Sequence, residues 1–101
     1  MSGTLSAFYY AENEMGRVAA FTVAGLDLWF NSHDHAPPHF HARSPGVWEI
    51  RIYFMTCTEH FADNDIKWGV HPSTRELGHL TTAAVTHRVA LLEEWEAKVC
   101  Q

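Results

Sequence analysis

Between positions 47 and 54 the chain reads VWEIRIYF, and nothing else in its 101 residues restricts the fold as tightly. Trp48, Ile50, Ile52 and Phe54 alternate with Glu49, Arg51 and Tyr53. That period of two belongs to a strand with one face in a core. Just upstream, HFHAR (39–43) and the turn-forming SPG (44–46) supply the partner strand and the connection of a β-hairpin. A three-residue loop over 44–46 puts Arg43 opposite Val47, His41 opposite Glu49 and His39 opposite Arg51. Phe40 and Ala42 then join the apolar face. His39, His41, Glu49 and Arg51 share the outer one.

A second hairpin is expected in VAAFTVAGLDLWF (18–30), with Ala24-Gly25 as its turn. Val23 then faces Leu26, Phe21 faces Leu28 and Ala19 faces Phe30, leaving Asp27 and Trp29 outside. LSAFYY (5–10) reads as an additional strand, IKWGV (66–70) as a short one, and TCTEHFADND (56–65) as a loop. STRE (73–76) fits a capping box, which predicts a short helical turn ending at Gly78. The stretch 81–100 has no Gly or Pro and carries an apolar stripe of Ala84, Val85, Leu91, Leu92, Trp95 and Val99, with Arg88 inside it. The expectation is an α+β fold in one domain over 1–101: an antiparallel β-sheet built from two hairpins, one face packed by a C-terminal α-helix.

Charge and cysteine usage narrow the functional classes. A net charge of −5 gives no basic stripe for direct nucleic-acid binding, although eight histidines add positive charge in acid. The start lacks a basic, apolar leader, and no run approaches the ~20 apolar residues of a membrane span. Cys57 and Cys100 form no C-x-x-C pair, which fits a reduced, cytoplasmic setting.

Function is carried by HDHAPPHFH (33–41), which holds four of the eight histidines. On an extended chain His39 and His41 point the same way, and so do His33 and His35. Fully extended, 33 to 41 spans about 26 Å, so one ion reaches all four only if the chain bends. Ala36-Pro37-Pro38 is the place for the bend. His33, His35, His39 and His41 are therefore candidate ligands for a divalent transition metal, zinc first, with Asp34 or Glu49 in support. Three protein ligands leave room for a catalytic water, while four suit a structural site.

The same atoms admit a metal-independent ribonuclease. His39 and His41 would exchange protons, Glu49 would orient one ring, and Arg51 would bind an oxyanion. A non-enzymatic protein-binding module, using the outer face with Trp29 and Tyr53, is the third class. The residues alone leave enzyme and binder open. His60, His71 and His79 fall in expected loops and are read as solvated, and Cys57 as a small core residue.

DLWFNSHDHAPPHFHAR (27–43) resembles the small bacterial DUF4160 proteins, whose hallmark is a strand followed by D-H-x-P-P-H-F-H. The match falls on Asp34, His35, Pro37, Pro38, His39, Phe40 and His41. HRVALLEEWEAK (87–98) is similar to that family's terminal helix. His33 lies outside the hallmark, and 56–80 is longer and different. The resemblance implies no defined activity. It implies a partner, because such proteins are often encoded beside small DUF2442 proteins in what is read as a toxin–antitoxin pair. A homodimer is the other association considered.

Overall fold

The computed structural model describes residues 16–56, the backbone of 58–60, and 70–99. Four strands, β1 (Asp27–Trp29), β2 (Phe40–Ser44), β3 (Trp48–Tyr53) and β4 (Thr58–His60), form one antiparallel sheet in the order β1-β2-β3-β4. Two helices follow, α1 (Thr74–Thr86) and α2 (Arg88–Lys98). The fold is α+β, with helices after strands.

The β2–β3 hairpin keeps the predicted faces but slides by two residues. His41 stands opposite Arg51, and Arg43 opposite Glu49. The turn explains the slide. The Val47 amide donates to the Ser44 carbonyl at 2.9 Å, so Pro45 and Gly46 are the central residues. Gly46 takes φ 75°, which a type II turn requires after proline. A slide of two preserves the alternation. Phe40, Ala42, Trp48, Ile50, Ile52 and Phe54 are accordingly all within 1% of complete burial.

The first expected hairpin survives only at its base. Arg17 bridges Trp29, and Val18 rather than Ala19 enters the core. The chain does turn at Ala24-Gly25, closed by the Leu26 amide on the Val23 carbonyl at 3.1 Å, with Gly25 at φ 82°. Its first arm, however, is tied to side chains of α2. The amides of Ala19 and Ala20 donate to the Glu94 carboxylate at 2.7 and 2.8 Å. The Lys98 ammonium donates to the Arg17 carbonyl at 2.8 Å and pairs with Glu94 at 2.7 Å. With those amides taken, no ladder forms along 19–23, and β1 pairs with β2 instead, Leu28 opposite Ala42 and Trp29 opposite His41.

The helical region also differs from expectation. Ser73 caps α1 with a full capping box to Glu76, but the helix runs through Gly78 to Thr86. Leu80 and Ala84 are buried by this continuation, which outweighs the roughly 1 kcal/mol that an internal glycine costs. The backbone leaves helical geometry at His87, φ −108° and ψ 22°, so the predicted single helix over 81–100 is the end of α1 plus α2. Leu91 and Trp95 of α2 are buried as the stripe predicted, whereas Val85 is 47% exposed. Arg88 donates through Nε to the Phe54 carbonyl at 3.0 Å, tying the start of α2 to the end of β3.

Residues 58–60 form a strand where a loop was expected, and His79 lies in α1 rather than a loop. The expected strand over 5–10, most of that over 66–70, and Cys57 lie outside the described residues. Among the described residues no helix is long and apolar enough to cross a membrane.

Candidate metal centre

Three consecutive pieces of chain build the site: a turn at 31–34, the proline elbow at 36–38, and the start of β2. Asn31 and Asp34 close the turn on each other. The Asp34 amide donates to the Asn31 carbonyl at 3.0 Å, and the Asn31 amide donates to Asp34 Oδ2 at 3.1 Å. Asx residues favour such turns because a short carboxylate reaches nearby amides. The turn fixes the carboxylate and aims it back along the chain. At the elbow the Ala36–Pro37 peptide is cis, and β2 begins three residues after Pro37.

Asp34 then meets both histidines of the H-F-H segment. His41 Nε2 lies 3.0 and 2.8 Å from the two Asp34 oxygens, and His39 Nε2 lies 3.5 Å from Oδ2. The His39 ring is oriented from its other side, where Nδ1 donates to the Pro37 carbonyl at 2.9 Å. A carbonyl only accepts, so Nδ1 carries the proton. Burial pushes the His39 imidazole below the ordinary value of 6.5; His41 and Arg51 push the same way, against the Pro37 carbonyl and the Asp34 carboxylate. In its neutral form His39 therefore turns an Nε2 lone pair, not a proton, toward the carboxylate.

Aromatic rings wall the group. His41 stacks on Trp29 with centroids 5.2 Å apart and planes 17° from parallel. His39 touches His41 at 5.2 Å, Tyr53 at 5.0 Å and Trp95 at 5.4 Å. The outer face on which the sequence reading placed His39 and His41 is thus covered at this end. His39 is 4% and His41 9% exposed.

Asp34, His39 and His41 each offer one ligand atom, all within 4.8 Å of one another, and such a group can hold a metal ion. Of the four histidines considered from the sequence, the structure brings His39 and His41 together. His33 and His35 are exposed on either side of Asp34 and do not join the group. In a turn, successive side chains diverge, so the one residue aimed inward is the aspartate between them. Of the residues considered for acid–base work, Arg51 stands across from His41, and Glu49 stands across from Arg43. The carboxylate on His41 is that of Asp34. The sequence reading held Asp34 in support and missed Trp95 as a wall. The Asn-Ser-His-Asp turn signature was the available signal for the first, and nothing local announced the second.

Comparison with known protein families, with curated proteins and with solved structures finds no match.

Proposed function

We propose that the protein binds one divalent transition metal ion, zinc by best fit, through Asp34, His39 and His41. One observation carries the reading: an imidazole lone pair and a carboxylate oxygen face each other at 3.5 Å, with the imidazole's other nitrogen already donating to a backbone carbonyl. A lone pair against an anion is repulsive, and a cation between them turns both contacts attractive. Zinc bonds of 2.0–2.1 Å in a tetrahedron space the ligand atoms about 3.3–3.4 Å apart. The two His–Asp separations of 2.8 and 3.5 Å bracket that value, and all three ligand atoms lie within 4.8 Å of one another. Two nitrogens and one oxygen suit zinc, and a backbone carbonyl on the far ring nitrogen is the usual support of a metal-binding histidine. The three residues also lie within the segment that carries the DUF4160 resemblance, which gives that segment a chemical purpose.

Three protein ligands leave one position for water or substrate, the arrangement of reactive rather than purely structural zinc. The metal content of untagged protein tests the proposal. About one equivalent of zinc, removed by a chelator and restored on titration, is expected. Less than about a tenth of an equivalent, with no uptake on titration, would refute it.

A metal-independent ribonuclease is the second reading, favoured by the His41–Arg51 pairing across the strands. RNA cleavage that persists in excess chelator and disappears in His39→Ala would support it over the metal centre.

A further inference from the structure

We infer that the remaining coordination position takes an oxyanion group, a phosphate or a carboxylate, and that Arg51 grips its second oxygen from across the strand pair. This rests on the metal reading and adds the ligand class. Charge is the first ground. A divalent ion held by one carboxylate and two neutral imidazoles keeps a net charge of +1. Near aromatic walls with little water, that charge acts more strongly than it would in solution.

Placement is the second ground. His41 and Arg51 are partners in the β2–β3 register, so their side chains leave the same face of adjacent strands. Arg43, also on this face, pairs through Nη2 with Asp27 at 3.1 Å, and its guanidinium lies 4.8 Å over the Trp29 ring. Glu49, the acid on the same strand face, stands opposite Arg43 rather than His41. Arg51 is the cation that the register sets across from the ligand His41. A guanidinium next to a Lewis-acid ion matches a two-oxygen group, one oxygen for each.

The test uses the full chain loaded with cobalt, which reports its coordination through visible absorption. Inorganic phosphate and acetate are titrated separately. Saturable change in the cobalt bands is expected, with the tighter of the two anions assigning the group as phosphate or carboxylate. Arg51→Gln should keep stoichiometric cobalt while weakening the anion about tenfold or more. If Arg51→Gln does not fold, Arg51→Lys is read instead. Cobalt retained with several-fold weaker anion binding supports the inference, because charge stays and the two-pronged geometry is lost. Bands indifferent to both anions, or wild-type affinity in the variant read, would overturn it while leaving the metal site standing. Failure of the wild-type chain to take up cobalt would overturn the metal reading and this inference together.

Discussion

His39 is where backbone, core and site meet. Its Nδ1 is fixed by the Pro37 carbonyl, its ring lies against Trp95 of the core helix, and its Nε2 faces Asp34. Each contact removes a freedom that a surface histidine keeps, so the ordering entropy of assembling a ligand set is met largely by folding. Asp34 is the residue that distinguishes this centre from a plain histidine cluster. Asp34→Asn keeps the size and the turn but removes the charge. It should weaken zinc by at least the ~10–100-fold that loss of a mere supporting partner costs. His33→Ala and His35→Ala should leave affinity unchanged. Competition with a zinc-chelating dye measures all three.

Elements were legible in the sequence where one local rule decided them. The alternation of 48–54 fixed which side chains enter the core, and the capping box at Ser73 fixed where α1 starts. The His39/His41 pairing was legible for the same reason: residues two apart on a strand share a side. What escaped was decided by partners distant in the chain. Glu94, 75 residues from Ala19, takes the amides that a first hairpin would have used. Burial of Leu80 and Ala84 carries α1 across Gly78. The Pro45-Gly46 pair sets the strand register, and the sequence reading placed the loop one residue too early. Gly78 itself offers a clean check, since a Cβ there would meet nothing within 4 Å and its φ is not positive. Gly78→Ala should stabilise the protein by about 0.5–1 kcal/mol, read by thermal unfolding, with zinc affinity unchanged.

For the molecule as a whole, the site and the core are one cooperative structure. Phe40, fully buried between the rings of Phe21 and Phe54, sits in the chain between the two histidine ligands. A chain of 101 residues has a limited core, so a bound ion adds appreciably to its stability. At free zinc a hundredfold above Kd the gain is about 2.7 kcal/mol. For a domain near this size that raises Tm by roughly 10–20 °C. Asp34→Asn at the same zinc concentration should show little of the increase. The ligand set itself is tested most directly by long-range proton–nitrogen NMR of the imidazoles during zinc titration. The expected result is metal-induced change at Nε2 of His39 and at the His41 ring, with His39 Nδ1 keeping its proton and with His33 and His35 unchanged. Zinc-induced change centred on His33 or His35, or no change in any imidazole, would contradict it.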